Sequence, residues 1–347
     1  VITLFETKKT AFMLAFAAHA AFFVLMDPDY YLHLMAGKYI VEHHSLPAVD
    51  MFSFTFAGQP WHLHEWLFEV LVYGIYSLSG ETGVVIWTSG LGVLAFYIAF
   101  NAGCRNNKEN YLAILFALTL FIFYQAFIKP RPQVITFFCY SIFLFVLFDF
   151  KYRNTLRFSS LLPPLMVVWT NAHGAYLLGI AFLFLFIVAE YLSRRMREEN
   201  AWHDEKFRRL IATAGLTVLA SAINPYFIKH WVFPFTLMNS PAMNFIVEWH
   251  SLSFSDSFER AYLLLLAIFV VHYVYLKDRP DLTELLLPGF VILSSFFAAR
   301  HIPLAILTML PFALATSGRG HQVTNILPTS IVHFFQGRVS RGHDLGK

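Results

Sequence analysis

Two carboxylates, a histidine and a lysine fall within the stretch Asp27-Pro28-Asp29-Tyr30-Tyr31-Leu32-His33-Leu34-Met35-Ala36-Gly37-Lys38, directly after the first long apolar segment of a chain that otherwise avoids charge. Pro28 suits the first turn of a helix. The i, i+4 spacing then sets Asp29, His33 and Gly37 on one face, with Tyr31, Leu34, Met35 and Tyr39 mainly on another. This pattern predicts a helix lying at a membrane surface with acids at its start. Carboxylates in that position can take a proton from a hydroxyl, or hold a divalent cation such as Mg or Mn through oxygen ligands. Two acids beside a short surface helix have no packing role that Ser or Asn could not fill.

The other polar clusters are His62-Leu63-His64-Glu65, Lys129-Pro130-Arg131-Pro132-Gln133, Asn171-Ala172-His173-Gly174, Asn224-Pro225-Tyr226, Glu248-Trp249-His250 and Arg300-His301-Ile302-Pro303. Ionisable groups at membrane depth are costly unless paired or hydrated, so several of them at one face predict a polar cavity there. The plainer reading is that helix ends are where polar residues belong and that Trp and Tyr collect at interfaces whatever the function. His43/His44 and His62/His64 read as loop histidines rather than a zinc site, and no phosphate-loop, dinucleotide or His-Glu-x-x-His motif is present. Nothing in the chain indicates nucleic-acid binding.

These groups must be positioned by membrane helices. Hydrophobic residues make up 57% of the chain, charged residues 14%, and the mean hydropathy is +0.57, against roughly 45–50% and ~25% in soluble domains. The class is therefore all-α and polytopic. Segments approaching the ~20 residues of a bilayer core are Ala11–Met26, Val84–Asn101, Tyr111–Ile128, Gln133–Phe150, Leu161–Asn171, Gly174–Tyr191, Leu210–Ile223, Ala261–Leu276, Leu282–Ala299 and Ile302–Thr316. Trp66–Leu78 is about three turns long and carries Glu69, so it reads as an interfacial or re-entrant helix at the outer face. With ten spans and Lys8/Lys9 inside, nineteen of the twenty-five Lys and Arg fall on the inner side, including the Arg194-to-Arg209 cluster. Lys38, Lys129, Arg131, Lys229, Arg260 and Arg300 stay outside with the polar clusters. The expectation is one transmembrane domain over 1–316, a cytoplasmic N-terminus with Ala11–Met26 retained as a membrane helix, and a basic cytoplasmic tail over 317–347. Cys104 and Cys139 are too few to argue a disulfide framework.

The stretch from Asp27 to Lys38, Asp50-Met51-Phe52-Ser53-Phe54-Thr55, Gly58-Gln59-Pro60-Trp61, His64-Glu65-Trp66-Leu67, Arg131-Pro132-Gln133, Trp169-Thr170-Asn171-Ala172-His173-Gly174, Asn224-Pro225-Tyr226 and Arg300-His301-Ile302-Pro303-Leu304 occur in that order. This series, over about residues 10 to 316, resembles a bacterial multi-spanning family usually described as similar to the GT-C membrane glycosyltransferases. The resemblance implies an inner-membrane protein that takes a sugar from a polyprenyl-phosphate carrier, with membrane lipids around it and Asp27 and Asp29 matching the first-loop acidic site. Many GT-C enzymes continue into a soluble outer domain, whereas this chain ends soon after its last span.

If the resemblance holds, Asp27 or Asp29 is the base and the other orients the acceptor or helps hold a divalent metal. Lys129, Arg131 and Arg300 are then the cations for the departing phosphate. His33, His64, Glu65, Asn171, His173, Glu248 and His301 complete the expected substrate-binding set. Two other readings stay open: a non-catalytic subunit with the same fold inside a larger membrane complex, and a transporter. The only helix interruption of the kind a transporter needs is a weak one at Pro163-Pro164.

Overall fold

The protein's structure is a computed structural model that describes residues 12–20, 27–104, 111–197, 199–240, 245–276 and 278–319. The ends of the first apolar segment, residues 105–110 and the tail from 320 onward lie outside the described residues. Helices account for the architecture, with no strand among the described residues beyond one bridge between Val49 and Pro60. After a helical stretch over residues 12–20 come α1 (Pro28–His43), α2 (Trp66–Gly103), α3 (Tyr111–Tyr124), α4 (Gln133–Arg153), α5 (Leu162–Ala172), α6 (Tyr176–Met196) and α7 (Glu205–Ala220). They are followed by α8 (Lys229–Met238), α9 (Ser257–Val274), α10 (Leu282–Phe297) and α11 (Ile302–Thr316).

Five helical segments are long and apolar enough to cross a membrane: α2, α4, α6, α9, and α11 with the turn Ala299–His301 that precedes it. This makes the chain a helical membrane protein. Residues 114–127 and α10 are apolar but shorter. The centre is α4 and α11, whose residues are buried almost all round, Ile302 to Phe312 without a gap. A helix apolar on every side belongs inside a bundle. α9 instead exposes Leu264, Ile268, Val270, Val271 and Val274, a surface suited to lipid.

Three elements differ from the sequence expectation. Trp66–Leu78 and Val84–Asn101 are halves of one 38-residue helix, joined through Gly80 at φ 63°, ψ −162°. That backbone conformation is essentially restricted to glycine, so the two halves meet at a break. Pro163 and Pro164 do not interrupt a span: they fill the first turn of α5, where a missing amide costs nothing. α8 was not expected; it is short and has Pro234 inside it.

The first half of α2 carries α1 on its side. Asp27 caps α1, its carboxylate accepting from the Asp29 amide at 3.1 Å, and Pro28 takes the first turn as its φ favours. Tyr30, His33, Ala36 and Gly37 form the buried face, while Tyr31, Leu32 and Met35 are exposed. Gly37 sits so close to α2 that a Cβ there would stand 2.0 Å from the Glu69 carbonyl oxygen. The loop between the two helices is shaped by Asp50, which accepts from the Phe52 and Ser53 amides, both at 2.9 Å. The Asp50-to-Thr55 motif is thus a turn-forming device.

The polar residues divide between two ends of the bundle. At the C-terminal ends of α4 and α6, Lys151 bonds Asp281 at 2.5 Å, Arg194 joins Glu190 (2.9 Å) to Asp204 (2.5 Å), and Arg319 pairs with Glu284. The N-terminal ends of α4, α6 and α11 lie at the other end, ~30 Å away along α4 at 1.5 Å per residue, which is the thickness of a bilayer core.

Candidate functional site

The segments that end at the N-terminal side of α4, α6 and α11 bring their charges to one place. Arg131, just ahead of α4, is the junction. Its Nη2 donates to Asp27 Oδ1 at 2.8 Å and its Nε to Asp27 Oδ2, the parallel two-bond fork that guanidinium and carboxylate form best. Nη2 also lies 3.1 Å from Asp29 Oδ2, and Nη1 donates to Glu248 Oε1 at 3.0 Å. Three carboxylates thus converge on one cation. Burial raises the Asp27 pKa, and the Arg131 bonds and charge, with the Asp29 amide and the Lys129 charge, more than offset it, so Asp27 ionises below the ordinary carboxylate range.

Beside this junction lies Glu65, directly ahead of α2. Its Oε1 is 3.5 Å from His64 Nε2 and 3.7 Å from His173 Nε2, and among the described residues its carboxylate accepts no hydrogen bond. Burial lifts the Glu65 pKa, outweighing the nearby His33, Arg300 and Arg131 charges. Burial likewise pushes His64 down to about 4 and His173 well below the usual imidazole value. Both rings are therefore neutral at pH 7.

Arg300 lies in the turn that leads into α11. Its guanidinium is stacked on the Trp249 ring at 4.3 Å, and it donates no hydrogen bond among the described residues. The adjoining backbones are tied by the Ala299 amide, which donates to the His250 carbonyl at 3.0 Å. Arg300 is thus held by packing next to Glu248 and keeps its donors unspent.

The remaining expected residues take other places. Asn171 is fully engaged inside the protein: Oδ1 accepts from Trp66 Nε1 at 2.8 Å, and the amide donates to the Val167 and Ile223 carbonyls, both at 2.8 Å. His33 faces Glu69 at 3.3 Å in the α1–α2 contact, with burial lowering its pKa. His301 donates from Nδ1 to the Ser294 carbonyl at 3.0 Å. Lys129 is exposed and reaches Asp27 only through its charge. Both Asp27 oxygens and Asp29 Oδ2 face the Arg131 guanidinium rather than a common ligand point, and no group of three or more His, Cys, Asp or Glu that could hold a metal is found among the described residues.

Sequence reasoning missed a ring stack behind the cluster. His62 lies 3.8 Å from the Tyr226 ring and 4.1 Å from that of Phe233, and its Nε2 is 3.1 Å from His230 Nδ1. His230 in turn donates from Nε2 to the Thr170 carbonyl at 2.9 Å. The Asn224-Pro225-Tyr226 motif serves this stack, since the Tyr226 hydroxyl accepts from the Leu63 amide at 3.0 Å. Such long-range stacking leaves no local signal in the chain. Comparison with protein-family models, curated proteins and solved structures finds no match to this chain.

Proposed function

We propose that the protein is a GT-C-like membrane glycosyltransferase, which takes a sugar from a polyprenyl-phosphate carrier at the end of the bundle that holds Arg131 and Arg300. In this reading the chain crosses the bacterial inner membrane ten times, some spans being short and tilted. Its N-terminus and the Lys151–Arg194–Arg319 end face the cytoplasm. The observation that carries the reading is the division of labour between the two arginines. Arg131 is neutralised by Asp27, Asp29 and Glu248, whereas Arg300 is packed on Trp249 with its donors unspent. Arg300 is the cation of the cluster left to pair with an anion, and a lipid phosphate has both the charge and the apolar tail that an interface between bundle and lipid favours. The departing phosphate gains a second charge as the sugar leaves, and a guanidinium held there stabilises it. Asp27 holds Arg131 in place, which leaves Asp29 and Glu65 as the carboxylates open to an acceptor hydroxyl.

A second reading, a non-catalytic subunit of a larger membrane complex, draws on Phe54, Phe245 and Phe254, which are almost fully exposed on loops at this same end. Exposed aromatics there serve equally as anchors in the headgroup layer. Binding separates the two. The full chain in nanodiscs should be stabilised against heat by polyprenyl phosphate and not by the matching polyprenyl alcohol, and Arg300→Gln should weaken phosphate binding by about tenfold, the equivalent of one charged hydrogen bond. Equal effects of phosphate and alcohol would remove the transferase reading in favour of the subunit.

A further inference from the structure

Glu65 differs from every other carboxylate of the cluster in what surrounds it. Asp27 accepts two bonds from Arg131 and one from a backbone amide, and Asp29 and Glu248 each lean on the same guanidinium. Glu65 is half-buried, its side chain 18% exposed, yet it accepts no hydrogen bond among the described residues and stands between two imidazoles. A carboxylate so placed keeps its lone pairs for something that arrives.

The imidazole at 3.7 Å is set by a chain of buried hydrogen bonds. Trp169 Nε1, a donor only, bonds Thr136 Oγ1 at 2.8 Å. The Thr136 hydroxyl, itself buried, must send its own proton elsewhere, and among the described residues the acceptor within reach is His173 Nδ1 at 2.7 Å. His173 therefore carries its proton on Nε2, which faces Glu65 Oε1. α6 secures the base of this chain, because a Cβ on Gly179 would lie 2.4 Å from the Trp169 ring. The separations of 3.5 and 3.7 Å at Glu65 exceed a hydrogen bond, as is common at proton-transfer sites before substrate draws the groups together.

We propose that Glu65, oriented by the Trp169–Thr136–His173 chain, is the carboxylate that takes the acceptor's proton in this cluster. The assignment rests on the transferase reading. In the step it describes, the acceptor hydroxyl oxygen forms a bond to the sugar's anomeric carbon while the bond from that carbon to the phosphate oxygen breaks. The hydroxyl proton passes to the Glu65 carboxylate, and the polyprenyl phosphate leaves as a dianion beside Arg300. Charge balances: one carboxylate and one phosphodiester anion become a neutral carboxyl and a dianion. Glu65 suits this work better than Asp27, because a base with raised proton affinity removes a hydroxyl proton more readily than one whose affinity two Arg131 bonds have lowered. The charged and titratable groups that face Glu65 are His33 and Asp29 from α1, Glu69 one turn further along α2, Arg131 from the start of α4, His64 beside it, His173 between α5 and α6, and Arg300 from the turn before α11.

The test is the pH dependence of sugar transfer by the full chain in nanodiscs, with polyprenyl-phosphate-linked hexose as donor. Glu65→Gln should lower turnover by about 10²–10⁴-fold with polyprenyl-phosphate binding retained, and Glu65→Asp should restore part of it. Thr136→Val should keep the fold and move the rising limb of the pH profile, since it frees the His173 tautomer. That variant decides the matter if Glu65→Gln fails to fold. Wild-type turnover that Glu65→Gln leaves within a few-fold, or a Thr136→Val profile superimposable on the wild type, overturns the role of Glu65 and leaves the transferase reading standing. No turnover by the wild type overturns that reading, and this assignment with it.

Discussion

His62, His64 and His230 each ionise at about 4, burial being the first cause in each case, and burial lowers His33 and His173 as well. An imidazole in the unfolded chain takes up its proton near 6.5. Between about 6.5 and 4 the unfolded state therefore binds more protons than the folded one, and stability rises with pH through that window. Glu65, with its raised value, works the other way and offsets part of this gain. Acidification from pH 7.5 to 4.5 should thus lower the thermal unfolding midpoint by several degrees, at about 2–4 °C per kcal/mol, and His64→Gln should flatten the curve. A midpoint that holds or rises on acidification would contradict the burial of these rings. The Asp27–Arg131 pair adds its own loss only below the ordinary carboxylate range, where Asp27 takes up its proton. At this scale the sequence displayed the groups but not their partners. Asp27 and Asp29 stand out beside an apolar segment and Arg131 stands out between prolines, yet the pairing that neutralises them spans 104 residues and is set by tertiary packing. The same limit hides the contrast between Arg131 and Arg300.

Helices were legible wherever apolar runs are bounded by Asp, Pro or Gly. Asp27, Asp204, Asp256 and Asp281 each cap the helix that follows, and Asp281 with Glu284 forms a full capping box. What the pattern does not carry is how closely two helices approach. Gly37 shows this: Glu69 lies against it because no side chain is there, and the turn that holds His33 and Asp29 is placed by that contact. Gly37→Ala would put a Cβ 2.0 Å from the Glu69 oxygen, 2.6 Å from its carbon and 2.9 Å from Tyr73 Cβ, so α1 has to move. The expected cost is about 1–3 kcal/mol. Gly74→Ala, on the facing helix α2 with nothing within 4 Å, should instead be neutral or stabilise by about 0.5–1 kcal/mol. Thermal unfolding of the two variants side by side checks this, and a Gly37→Ala protein as stable as Gly74→Ala would mean that α1 does not rest on α2 as described. The glycine at Gly80 also escaped the sequence reading as a break, because hydropathy alone cannot tell a gap between two helices from a kink inside one.

Composition already identified a helical membrane protein, and the cost of ionisable groups at membrane depth led to the expectation of one shared polar face. In the structure Asp27, Asp29, Glu65, Arg131, Glu248 and Arg300 gather at one end of the bundle, and a separate set of charges lies at the other. Lys151, Arg194, Arg319 and their acids form a closed set of pairs at one end, which reads as a clamp. At the other, the set is left open at Glu65 and Arg300. An unspent acceptor and an unspent cation at the same end are what transfer from a lipid phosphate requires, since one takes a proton while the other meets the charge that develops. The measurement that reaches this claim most directly is turnover: the full chain in nanodiscs, given a panel of polyprenyl-phosphate-linked hexoses labelled in the sugar, followed by release of unglycosylated polyprenyl phosphate. Release above protein-free nanodiscs is expected from at least one donor, with Arg300→Gln raising the donor KM by about tenfold. Release from no donor, by a protein shown to be folded by its thermal transition, would contradict it.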